Sequence, residues 1–268
     1  MKNRILILLV FLGTTTVFGQ QENKAQYTGD NFSLEGALAL FEKATSLEEF
    51  EKMLNEENNN VNNLDLNGDG NIDYITVSDI KEKDSHTIVL SIDLSPTEKQ
   101  DIATIGIEKT GKEQAVLQIE GDEKIYAANT IVEPSDEKQM IKNAKGGPSV
   151  PEIESVVMIV NVWAWPSVQF LYAPGYVVWV SPHRWAVYPN WWKPWKPIRY
   201  SIFRARCAPH RLYYHHTPEH RVLHARKIYT PRRNSSTLVI HNRRGTTVMH
   251  KNKRGKVGVV KVRRGRRR

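Results

Sequence analysis

Five oxygen-bearing side chains crowd into nine residues of this 268-residue chain: Asp65, Asn67, Asp69, Asn71 and Asp73, with Gly68 and Gly70 between them. Carboxylate or amide oxygens stand at loop positions 1, 3, 5 and 9, a main-chain carbonyl (Asn71) at position 7 and glycine at position 6. That order wraps a hard cation, because Ca²⁺ takes about six to eight oxygens and the sharp turn needs a residue without a Cβ. Asp65, Asn67, Asp69 and Asp73, with the carbonyl of Asn71, are therefore a candidate Ca²⁺ site. Thr76 occupies position 12, where a longer acid would close the ring.

Two further groups of residues could bind ligands. Trp185, Trp191, Trp192 and Trp195 sit among prolines and lysines, which favours an extended segment presenting aromatic faces beside cations. Such faces stack on sugars or bases, or pack into the protein's own core. Arg243-Arg244, Lys253-Arg254 and Arg263-Arg264, each followed by glycine, recur every ten residues and suit phosphates or acidic sugars. Three enzymatic patterns fail. Residues 106–112 have phosphate-loop spacing, but Glu113 stands where Ser or Thr must hold Mg²⁺. His216, His220 and His224 are spaced by four without the glutamate of a zinc protease. One cysteine, Cys207, among nine histidines proposes no nucleophile.

The elements that must position these groups follow from periodicity and charge. Residues 1–19 read as a secretory signal peptide, with Lys2 and Arg4 ahead of a short apolar run and Gly19 at the cleavage point. The protein is thus expected to be exported: periplasmic, envelope-associated or secreted. Residues 20–150 carry 12 Lys, no Arg and 26 acids (net −14), whereas 151–268 carry 24 Lys plus Arg and 3 acids (net +21). The expected division is an acidic α+β domain over 30–133, a linker over 134–152, an aromatic, proline-rich segment over 153–198 and a basic His/Arg-rich tail over 199–268. Ser33 and Ser46, the latter with Glu49, mark two amphipathic helix starts, and strand-like runs begin near Ile72, Thr87, Ile102 and Gln114. The expected fold class is α+β: two N-terminal helices on a small antiparallel sheet, then a Trp/Pro-rich β-type segment and a basic tail of low regularity. Prolines within the uncharged run 155–182 argue against a transmembrane span.

The segment from Asp65 to Tyr74 resembles the calcium loops of FG-GAP repeats and, over its first nine positions, EF-hand-like loops. With Trp165-Pro166, Tyr172 to Tyr176 and Trp179 to Pro182, it also resembles uncharacterised exported proteins of Gram-negative bacterial envelopes, a likeness that implies no activity. The function expected is a non-enzymatic, calcium-binding envelope protein. Its basic aromatic half would contact an anionic polymer, whether lipopolysaccharide, acidic glycan or extracellular nucleic acid. The alternatives are an envelope hydrolase or transferase, or a membrane-embedded protein spanning at 155–182. The surplus charge has a second outlet, association of the basic half with the acidic one.

Overall fold

The computed structural model describes residues 25–135 and 159–233 with their side chains, and the backbone of 237–242, 245–251 and 257–263. Ser33 opens helix α1 (Leu34–Lys43) by accepting the Gly36 N–H, and Ser46 opens α2 (Leu47–Leu54) by accepting that of Glu49. Each hydroxyl satisfies a donor that the first helical turn leaves unpaired. The glutamate of the second cap reaches back one residue further than expected, to the N–H and hydroxyl of Thr45.

Strands β1 (Ile75–Glu82), β2 (Ser85–Ser95), β3 (Glu98–Gly111), β4 (Gln114–Gly121) and β5 (Ile131–Pro134) form an antiparallel meander, and β6 (Tyr214–Thr217) pairs with β5 to complete a six-stranded sheet. The remaining helices are α3 (Pro166–Leu171), α4 (Tyr200–Cys207) and α5 (Leu223–Tyr229). Strands β7 (Thr237–Asn242), β8 (Gly245–Lys251) and β9 (Val257–Arg263) make a separate three-stranded sheet.

This overturns the expected arrangement of two N-terminal helices on a small sheet. The sheet has six strands, three of the five helices among the described residues follow β5, and the basic half supplies the last strand and a covering layer. The expected β-type segment begins instead with α3, because Pro166 sits at the first helical turn, where a missing N–H costs nothing. The basic tail is not irregular, since β7–β9 lie within it. The local pattern misses β6 because Tyr214-His-His-Thr217 lacks alternation; its place is set by pairing with β5.

Alternation divides the sheet into unlike faces. Val77, Ile88, Leu90, Ile105 and Ile119 join the core with α1, α2 and α3. The opposite face carries Thr87, Ser91, Asp101, Gln118, Glu120 and Glu133, and α5 lies on it. Gly106 permits that approach: a Cβ there would stand 2.7 Å from Val222 and 3.0 Å from Ala225. Among the described residues no helix is long and apolar enough to cross a membrane.

Candidate functional site: an oxygen-rich loop clasped by an aromatic strap

Residues 65–73 fold around their own side chains. The Asp65 carboxylate accepts the N–H groups of Gly68 (2.8 Å) and Gly70 (2.9 Å), Asn67 Oδ1 accepts that of Asp69 (2.8 Å), and Asp69 Oδ1 that of Asn71 (2.7 Å). Gly68 and Gly70 take φ of +76° and +81°, the left-handed region that glycine enters without a Cβ clash. Asp73 accepts from the Leu66 N–H and from Asn67 Nδ2 at 2.8 Å. Burial, with the negative charges of Asp65 and Asp69 nearby, raises the Asp73 carboxyl to about 7; burial also raises Asp65. A carboxylate oxygen that accepts one N–H keeps a lone pair for a cation. The donor set of Asp65, Asn67, Asp69, Asp73 and the Asn71 carbonyl is all oxygen, and it fits a hard ion whose charge would offset the crowded acids. It is incomplete at position 12, where Thr76 Oγ1 turns into the sheet and donates to the Ser91 carbonyl. Among the described residues no three His, Cys, Asp or Glu side chains converge as a ready metal cluster.

The tryptophan-rich segment is strapped onto this loop. Ile72 N–H donates to the Trp195 carbonyl at 2.8 Å, Lys196 Nζ donates to Asn71 Oδ1 at 3.0 Å, and Asn63 exchanges two hydrogen bonds with the Ile198 backbone. Tyr74, the first residue past the loop, is ringed by Tyr188 (5.4 Å between centroids), Trp191 (6.5 Å), Trp192 (5.1 Å) and His183 (5.6 Å). Trp185 sits apart from that cluster, its main-chain N–H donating to Asp93 Oδ2 at 2.9 Å.

Beneath the ring lies Glu51, a residue the sequence pattern gives no reason to single out. It is 2% exposed, and its two oxygens accept Tyr74 Oη (2.9 Å), Ser181 Oγ (2.8 Å) and the Val77 N–H (2.8 Å). One carboxylate thus ties α2, β1 and the strap together. A second unforeseen pair is Asp79 and His86, fully buried with Oδ2 and Nδ1 2.8 Å apart and Tyr176 Oη donating to the same Asp79 oxygen. Its only sequence signal is a polar residue at an apolar-face position in each of two paired strands.

The basic half meets the polar face of the sheet. Arg221 Nε bonds the buried Glu133 carboxylate at 2.9 Å, Arg226 reaches Glu120 at 3.2 Å, and Arg233 pairs with Asp122. Arg221→Ala should lower stability by about 2 kcal/mol, because it takes the guanidinium from a buried carboxylate that keeps only Gln118 Nε2 (2.6 Å) and His215 Nε2 (3.2 Å). Thermal unfolding checks this, and an unchanged midpoint would show the pair to be incidental. The histidines do not converge: His216 faces Glu35 at 3.2 Å and His220 faces Glu120 at 3.9 Å, while His224 offers only its backbone N–H, to Glu108. Burial raises the Cys207 thiol to about 11, and its Sγ donates to the Asn60 carbonyl, which is no environment for a nucleophile. Arg263 ends β9, and its side chain, with Arg243, Arg244, Lys253, Arg254 and Arg264, lies outside the described residues.

No family model, curated protein or solved structure matches this chain.

Proposed function

We propose that this is an exported, non-enzymatic envelope protein that binds calcium at residues 65–73 and contacts an anionic polymer through its basic C-terminal segment. The observation that carries the reading is how the cations are distributed. Arg221 and Arg226 pair with acids of the six-stranded sheet and Arg233 with Asp122, just past β4. Residues 234–268 hold 12 Lys and Arg and no acid, on and around strands that form a sheet of their own. Surplus charge of one sign on a small module favours a polyanion, since binding releases the polymer's condensed counterions. Lipopolysaccharide, acidic glycan and nucleic acid share the required chemistry, closely spaced phosphates or carboxylates.

Two observations set the alternatives lower. A hydrolase or transferase needs a free, reachable acid–base pair: Asp79–His86 is sealed beneath the rings of Tyr172 and Tyr176, and in the reachable pair His216–Glu35 the carboxylate is also held by Arg211 at 3.6 Å and by the Ser33 hydroxyl at 3.1 Å. A span at 155–182 needs one long helix, whereas α3 has six residues; positions 155–158 lie outside the described residues.

The test is titration of the mature chain with heparin and with a DNA duplex over a range of salt. The logarithm of affinity should fall steeply with the logarithm of salt, and deleting Arg263–Arg268 should flatten the slope by several units. Salt-independent binding, or none at low salt, would defeat the proposal.

A further inference from the structure

The geometry points to a second binding site, an open groove of about 330 Å³ between α2 and the strap that takes a ring of a neutral saccharide. It goes beyond the polyanion reading and does not rest on it.

One wall of the groove is the Trp191 indole, with Lys52 Nζ 5.9 Å from its ring centroid. Trp191 remains 45% exposed after the strap has docked, although neighbouring Trp192 turns edge-on to Tyr74 and is partly covered. An indole face at the mouth of a concave site suits the C–H face of a pyranose, which is apolar and flat enough to stack. The opposite lip is the first turns of α2. Glu48 and Glu49 supply acceptors there, and Lys52 supplies a donor 5.9 Å from the Trp191 ring centroid. Glu49 is held in place by the Thr45 N–H (2.7 Å) and hydroxyl (2.6 Å), so ordering it costs little when a ligand arrives. The floor is equally fixed, because Glu51 ties Tyr74 and Ser181 to β1.

Charge and hydrogen-bonding capacity narrow the ligand class. Two exposed glutamates on the lip repel an anion, so the polymer that meets the C-terminal cations is not expected here. An organic cation would be repelled by the Lys52 ammonium, 5.9 Å from the ring centroid and 3.9 Å from Glu56, whereas a neutral ring is not. A saccharide ring uses what the groove offers: a stacking face, acceptors for its hydroxyl protons and a donor for its oxygens. The volume falls near the lower end of the range of small-ligand sites, about 300–1,000 Å³, enough for a short oligosaccharide end and little more.

The experiment titrates the full mature protein with cellotriose, maltotriose and chitotriose, following tryptophan fluorescence and heat in low and high salt. At least one trisaccharide should bind with an affinity that salt leaves nearly unchanged. Trp191→Ala should weaken that binding about tenfold without altering heparin binding, and Glu48→Ala should weaken it independently. Loss of heparin binding with sugar binding intact would sink only the polyanion reading. Failure of all three sugars to bind would overturn the groove assignment. So would tetramethylammonium binding in their place, or full affinity in both variants at an unchanged melting temperature.

Discussion

Glu51→Ala should cost about 3–5 kcal/mol of folding stability, a large share of the total for a domain of this kind. Three donors lose their acceptor at once: Tyr74 Oη, Ser181 Oγ and the Val77 N–H. A buried donor without a partner costs about 1–3 kcal/mol, and the cavity left by the carboxylate adds to that. Glu51→Gln should cost less: it keeps one acceptor oxygen and removes a charge that burial disfavours, the same burial that raises the Glu51 carboxyl above its ordinary range. Urea unfolding by circular dichroism measures both changes. Because Ser181 belongs to the strap, the alanine variant should also shift tryptophan emission to the red before global unfolding. A loss below about 1 kcal/mol would mean that these donors find other partners and that Glu51 is not the fastener described.

The second large effect concerns Asp73 and links acidity to calcium. With chelator present, stability should fall as pH rises from about 4 to about 7, by up to roughly 4 kcal/mol. The sign follows from the direction of the shift. The folded protein holds the Asp73 proton up to about 7, while the unfolded chain releases it near 4. Between those limits the folded state binds more protons, and raising the pH penalises it; above about 7 the loss is complete. Calcium should remove this slope, since it requires the ionised carboxylate that the empty loop resists. It should also bind more tightly as pH rises to about 7 and release up to one proton per ion near pH 6. Asp73→Asn should flatten the pH dependence in chelator and weaken the calcium response. Thermal melts across pH, with and without calcium, decide the matter: identical curves would remove calcium from the function, and a rising slope in chelator would contradict the burial of Asp73.

Features resting on neighbours a few residues apart were readable from the chain. Ser33 and Ser46 announce helix starts because a capping hydroxyl reaches an N–H only three residues away. The turn at 65–73 is likewise local, its hydrogen bonds joining residues within eight positions. The partition of charge at residue 150 is a matter of counting.

What the sequence by itself determined, then, is where the first two helices begin, where a hard cation could be wrapped, and that two halves of opposite charge share one chain. Tertiary structure decided what covers what. The polar face of the sheet reads as solvent-facing from its alternation, yet α5 lies on it, because Arg221, Arg226 and Arg233 neutralise acids some 90–110 positions earlier. The strap reaches its loop across 125 residues, and Glu51 meets Ser181 across 130. Periodicity cannot signal such pairings, since each is selected by the free energy of burying a polar group with its partner after the chain has closed, and nothing in the spacing of either segment carries the identity of the other.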